Sequence, residues 1–223
     1  MSLFESGDSS GVVSLGNLFE EPLPAIPTGE VRLQRIAELV VRGGWPDSLD
    51  LTLDAARELT RSYLKLTVED DASRIDGVRR DPHKLRLLLR SLARNESTLA
   101  KNSTLQRDML EFDDETLAPD TATDYLAVLR RLFVVWEQGA YNPNLRSSVR
   151  VGKKPKRHLA DPSLSAAGLG VGASDLIGDL DTFGFLFEAL CERDLAVYSQ
   201  ALGGVDTPVA PRDCAAPRSA HGS

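Results

Sequence analysis

The chain has 223 residues, enough for one large domain or two small ones, and 42% of them are hydrophobic, enough for a buried core. Its net charge of −7 argues against a protein that is basic over its whole surface. The sequence has no apolar run of the ~20 residues that a membrane span needs and no signal-peptide pattern. Its two cysteines are scattered, and together these features predict a cytoplasmic protein without a membrane partner.

The N-terminal third predicts a linker followed by helices. Residues 1–29 are rich in Ser, Gly and Pro, which favours a linker or a tail. Apolar residues at helical spacing then predict three helices, and Gly43-Gly44 followed by Trp45-Pro46 ends the first of them. These helices cover residues 30–42, residues 53–70 and a stretch that begins at Asp81-Pro82, a good cap and first-turn pair.

The centre of the chain has the element order of a winged helix-turn-helix. The pattern predicts a short helix over 103–111, a turn, and a longer helix over 119–132. A β-branched and aromatic stretch at 133–136 follows them. Residues 157–160 could return as the hairpin partner of that stretch. The predicted fold class is therefore mainly α with a small β-hairpin and a winged helix-turn-helix-like centre.

The C-terminal part divides into a loop, a helix and a tail. Residues 161–181 are Gly-rich and read as a loop with a short helical turn near 162–167. Residues 182–202 predict an amphipathic helix, and the pattern collapses after 204, so residues 205–223 are expected to be disordered. The apolar face of that helix is predicted to hold Phe183, Leu186, Phe187, Leu190 and Tyr198.

No motif predicts catalysis, a cofactor or a metal. The chain has no Gly-rich phosphate loop followed by Lys, so we expect it not to hydrolyse ATP alone. Residues 168–173 fit G-x-G-x-x-A in letters, but neither a strand before them nor a long helix after them is predicted. The acidic clusters at 69–71 and 113–115 point in several directions, and the histidines lack ligand spacing.

The strongest candidate for a binding function is a basic strip. Residues 146–157 contain six cations and no acid, next to the predicted wing, which suits contact with phosphates or with an acidic partner. Asp120 and Asp124 lie near the start of the predicted recognition helix, which favours an interaction module over one that reads sequence. The candidate binding residues are Arg146, Arg150, Lys153, Lys154, Lys156 and Arg157, with Arg130 and Arg131 at the end of the recognition helix.

Three motifs carry a resemblance to a known family. The chain resembles prokaryotic AAA-type ATPases with the C-terminal domain DUF4143, in which similar motifs occur in the same order. The motifs here are Gly43-Gly44-Trp45-Pro46, the stretch 156–161 and Phe187-Glu188. The resemblance implies that residues 1–7 are the last strand of an ATPase module. It also implies that the chain after residue 160 begins a nuclease-like α/β domain, in which Asp161 and Glu188 match family positions. The strands that would complete a nuclease centre would follow residue 204, so we expect no enzyme activity.

These observations divide the chain and give two functional hypotheses. The expected parts are a linker or ATPase remnant (1–29), a helical and winged-helix-like region (30–160), a truncated nuclease-like piece (161–204) and a tail (205–223). The first hypothesis is a non-catalytic C-terminal region of an AAA-type ATPase that binds DNA, a separately encoded P-loop domain or another protein through the basic hairpin. The alternative is a truncated remnant without activity, in which the apolar face of the last helix would be exposed.

Overall fold

A computed structural model describes residues 1–20, 29–113, 117–139 and 154–202. Within these ranges the protein is mainly helical with one two-stranded antiparallel sheet, which confirms the predicted fold class at that level. None of the described helices is long and apolar enough to cross a membrane. The elements are α1 (Asn17–Glu20), α2 (Leu33–Arg42), α3 (Leu53–Leu66), α4 (Ala72–Arg74), α5 (Pro82–Arg94), α6 (Asn102–Asp113), α7 (Pro119–Arg131), β1 (Val135–Gln138), β2 (Lys156–Leu159), α8 (Pro162–Leu169), α9 (Ala173–Gly178) and α10 (Leu180–Ala201).

The hairpin lies close to its predicted position. Strands β1 and β2 pair with Val135 opposite Leu159 and Gln138 opposite Lys156. A single further bridge joins Thr98, between α5 and α6, to Arg157 on the other edge of β2. The chain before α6 is therefore held against the hairpin, which brings residues from three separate segments together.

The short helix α8 is the centre of the packing. Residues 162–166 are all buried, and α8 packs against α2, α3, α5 and α10. The helical turn predicted near 162–167 corresponds to most of α8, whereas the prediction of a loop for the rest of 161–181 is wrong where α9 forms. The full helix was not predicted because its residues are buried on nearly all sides and so show no helical period. Its glycines suggested a loop, but Gly170, with φ +77°, is the left-handed residue that ends it.

The last helix is packed against the body. Phe183, Leu186 and Leu190 are buried in a core cluster with residues of α2, α8 and α9. The expectation that the apolar face of this helix would be exposed is wrong for these three residues, because α2 and α8 cover them. Phe187, on the same predicted face, is 43% exposed. The expected division at 160/161 does not coincide with a break in packing, since Leu164 of α8 belongs to the cluster built by α5, α6 and α7.

The N-terminal residues also pack against the body. Ser2 is buried, the Leu3 amide donates to Asp194 Oδ2 (2.9 Å), and Asp8 pairs with Arg35 (2.7 Å) and Arg42 (2.5 Å). Residues 3–9 form turns and bends, so the strand that the resemblance implies for residues 1–7 is not formed in this structure. The polar contacts of this segment to partners far along the chain carry no local sequence signal.

Helix α7 ends in an unusual way. The Phe133 amide donates to the Arg130 carbonyl (3.0 Å) and the Val134 amide to the Leu129 carbonyl (2.9 Å), the two bonds of a Schellman end. Phe133 has the left-handed φ of +56° at the position where glycine is usual, and its side chain is 84% exposed. A bulky side chain in this conformation is disfavoured by roughly 1–2 kcal/mol.

We expect Phe133→Gly to raise the free energy of unfolding by about 0.5–1 kcal/mol, because the relief of backbone strain exceeds the added freedom of the unfolded chain. Urea unfolding would measure the change. Phe133→Ala is the matched control, since it removes the exposed ring but keeps a Cβ in the left-handed conformation. A stability gain of the same size in Phe133→Ala would contradict the strain argument.

Candidate functional site

Asp161, one of the two residues matched by the family resemblance, lies in a buried charge cluster. Its Oδ2 accepts hydrogen bonds from the Gly44 amide (2.9 Å) and from Arg193 Nη1 (2.8 Å), and its Oδ1 accepts from the Ser163 amide (2.9 Å). Arg193 also donates to Asp194 Oδ1 (2.8 Å). Burial alone would lower the pKa of Arg193, but Asp161 and Asp194 raise it above its ordinary value. We call these three residues the Asp161 cluster.

The Gly-Gly-Trp-Pro motif is shaped by this cluster. Gly43 has φ +76°, and a Cβ there would lie 2.5 Å from Ser163 Oγ, while a Cβ on Gly44 would lie 2.2 Å from the Met1 carbonyl oxygen. Trp45 Nε1 donates to Ser163 Oγ (2.8 Å). Both glycines are therefore required by close packing, and the motif joins the end of α2 to the start of α8.

Glu188, the second matched residue, does not meet Asp161 in a metal site. It forms an ion pair with Lys156 of β2, whereas the contacts of Asp161 go to Gly44, Ser163 and Arg193. Among the described residues no group of three or more His, Cys, Asp or Glu side chains could hold a metal ion. In the described residues both carboxylates therefore make contacts that hold the fold together.

A second buried polar network fixes the hairpin to α8. Glu96 Oε1 lies 3.1 Å from His158 Nδ1, and Glu96 Oε2 accepts hydrogen bonds from the Leu159 amide (3.0 Å) and Ser165 Oγ (2.6 Å). Ser97 Oγ also faces His158 Nδ1, at 3.5 Å. A catalytic triad needs the nucleophile and the acid on opposite ring nitrogens. Here both face the same one, so the network has the geometry of an anchor. Sequence reasoning missed Glu96, whose partners lie more than 60 positions away.

The basic residues predicted to bind are in large part paired within the protein. Arg146, Arg150 and Lys153 lie outside the described residues. Lys156 pairs with Glu188, Arg157 with Glu137 (3.0 Å) and Arg131 with Asp76 (3.6 Å), and Arg130 also pairs with Glu137. Lys154 is exposed and forms no ion pair with the described residues. Glu137 therefore contacts two of the predicted binding arginines at once.

A surface groove lies where the hairpin meets α6. It has a volume of about 380 Å³ and is lined by Lys101, Asn102, Lys154, Arg157 and their neighbours. Arg157 spans its floor, donating to the Ala100 carbonyl (3.0 Å) and to Asn102 Oδ1 (2.7 Å). Sequence reasoning missed Lys101, which lies beside the hairpin because Thr98 bridges to Arg157 and because Arg157 binds Ala100 and Asn102. We call this surface the basic groove.

Comparison with known families identifies the domain family of this chain. A family model described as a domain of unknown function, DUF8612, matches residues 33–175. The chain belongs to this family. No curated protein and no solved structure matches it. The DUF8612 region begins at the first residue of α2 and ends within α9, so it contains the basic groove and Asp161, while Arg193 and Glu188 lie beyond it.

Proposed function

We propose that this chain is a non-catalytic module that binds DNA by its phosphate backbone through the basic groove. The observation that carries the proposal is the convergence of Lys101, Lys154 and Arg157, from two separate segments, on one groove. The acid-free stretch 146–157 continues from the same hairpin and contains four more cations in sequence. Clustered cations that displace counterions from DNA are the main source of affinity that does not depend on base sequence.

The order of elements supports the same proposal. The chain runs through elements in the order of a winged helix-turn-helix. These are helix α5, the bridging residue Thr98, helices α6 and α7, and the hairpin. The exposed face of α7, however, carries Asp120 and Asp124 near its start, and Asp124 pairs with Arg80 (3.1 Å). Carboxylates at the start of a recognition helix oppose phosphates, so the binding we propose is contact with the backbone without base readout.

We further infer, from the three sequence motifs, that the module is the C-terminal region of an AAA-type ATPase, with the P-loop domain supplied elsewhere. The alternative hypothesis, a remnant without activity, is less well supported, because Phe183, Leu186 and Leu190 are covered by α2 and α8. An acidic surface of a partner protein is the other binder that the basic groove would suit. The experiment below separates it from DNA.

We expect Glu137→Gln to tighten binding to duplex DNA by roughly 3- to 10-fold at low salt, because the change releases both Arg130 and Arg157 from a carboxylate while keeping its shape. Fluorescence anisotropy with a labelled duplex of about 20 base pairs would measure the affinity.

The matched control is Glu58→Gln on α3, which removes the same charge from an exposed residue outside the groove. An equal gain in both variants would show that net charge alone is responsible. Failure of the wild-type protein to bind the duplex at low salt would contradict the proposal and favour an acidic protein partner.

A further inference from the structure

Phe133 is exposed and strained without serving the core. Its side chain is 84% exposed, the largest fraction among the exposed large hydrophobic residues in the described part of the chain. Its φ of +56° is in the left-handed region, where bulky residues are outliers. It belongs to neither core cluster, although its neighbour Val134 is fully buried. A glycine or asparagine would form the same helix end at lower cost. The helix end thus needs the left-handed conformation but not the phenyl ring, and a bulky residue kept in a strained conformation is an indicator of function.

A series of contacts leads from Arg130, close to Phe133 in the chain, to the basic groove. Arg130 lies one helical turn before Phe133 and contacts Glu137, and Glu137 lies directly opposite Arg157 in the hairpin. Arg157 in turn contacts Asn102 at the groove (2.7 Å). The backbone from Val134 to Glu137 spans about 10 Å at the rise of an extended strand. Phe133 and the basic groove thus lie toward opposite ends of the hairpin, and the contacts of Arg130, Glu137 and Arg157 lie between them.

We propose that Phe133 is a stacking platform for an unpaired base of a single-stranded nucleic acid, whose phosphates run past Arg130 into the basic groove. This inference rests on the proposed function and narrows it to a strand with accessible bases. Base faces in a duplex are covered by their neighbours, so an exposed ring adds affinity only for unpaired bases. A cationic track with an aromatic ring at one end is the arrangement that binds single strands with little sequence preference.

The test compares the affinity for a labelled oligothymidylate of about 12 nucleotides with that for a duplex, by anisotropy. We expect Phe133→Gly to weaken single-strand binding roughly 5- to 100-fold and to leave duplex binding unchanged. The variant should melt no lower than the wild type, so a loss of binding cannot be ascribed to unfolding. Phe133→Tyr keeps the ring and should bind the single strand as the wild type does.

Phe187→Ala is the control for removal of an exposed aromatic ring elsewhere, since Phe187 is 43% exposed on α10. It should leave both affinities unchanged. The inference would be overturned if Phe133→Gly bound the single strand as tightly as the wild type does. It would also be overturned if this variant lost affinity equally for the single strand and the duplex. A ring that contacts a partner protein would give the first of these results.

The two proposals fail in different ways. Suppose that the double variant Lys101→Glu and Lys154→Glu weakens duplex binding while Phe133→Gly changes neither affinity. That result would support DNA binding by the basic groove and would contradict the role of Phe133 as a stacking platform. If the wild-type protein binds neither probe at low salt, both are overturned.

Discussion

Asp161→Ala is expected to lower the free energy of unfolding by roughly 3–5 kcal/mol, the range found when one partner of a buried ion pair is removed. The change leaves the buried Gly44 amide without its acceptor and removes the cap of α8. It also leaves Arg193, whose side chain is 9% exposed, with Asp194 as its remaining carboxylate partner. Because α8 contacts four other helices, the loss should reduce the stability of the whole fold.

Urea unfolding followed by circular dichroism would measure this loss. Asp50→Ala is the matched control, because Asp50 is an exposed residue in the loop that follows the Gly-Gly-Trp-Pro motif. Its effect should stay within about 0.5 kcal/mol. A loss below about 1 kcal/mol in Asp161→Ala would show that the cluster does not hold α8 in place.

The double variant Lys101→Glu and Lys154→Glu should weaken duplex DNA binding by roughly 10- to 100-fold and reduce the salt slope by about two. The two lysines are exposed and face the same groove, so their replacement removes two phosphate contacts and adds two repulsive charges. Neither is part of a core cluster, and we expect the fold to be retained.

Lys65→Glu is the matched control, an identical change at an exposed position of α3, a helix that packs on α2 and α8. It alters the net charge without touching the groove and should change the affinity by much less. If Lys65→Glu lost as much affinity for the duplex as Lys101→Glu alone or Lys154→Glu alone, the binding surface would not be the basic groove.

Local patterns predicted much of the fold. The Asp81-Pro82 pair marks the start of α5, where Asp81 Oδ1 accepts the His83 amide (2.9 Å), and the expected hairpin lies within two residues of β1 and β2. Such features depend on neighbouring residues, so the sequence contains their signals. Helix α8 begins with the same Asp-Pro pair, Asp161-Pro162, but its almost uniformly buried residues show no helical period, so only a short turn was predicted there.

The candidate site was less predictable because it depends on contacts between distant residues. The spacing of Lys156 and Arg157 identified a basic strip, but Glu188 and Glu137, which neutralise them, lie on other elements. Lys101 joins the groove through contacts of its neighbours, Thr98, Ala100 and Asn102, with Arg157, which is 56 positions away. Asp161 was matched by resemblance to a nuclease-like position, whereas its hydrogen bonds give it a structural role. Charge patterns thus predicted the type of surface but not which cations are free to bind.

The most direct test of the account is the salt dependence of duplex DNA binding by the unaltered protein. If the basic groove binds phosphates, a plot of log affinity against log salt should be a straight line with a slope of roughly −2 or steeper, because the two exposed lysines of the groove, Lys101 and Lys154, would each displace about one counterion. Absence of binding at low salt, or an affinity that does not change with salt, would contradict the claim that this surface binds DNA.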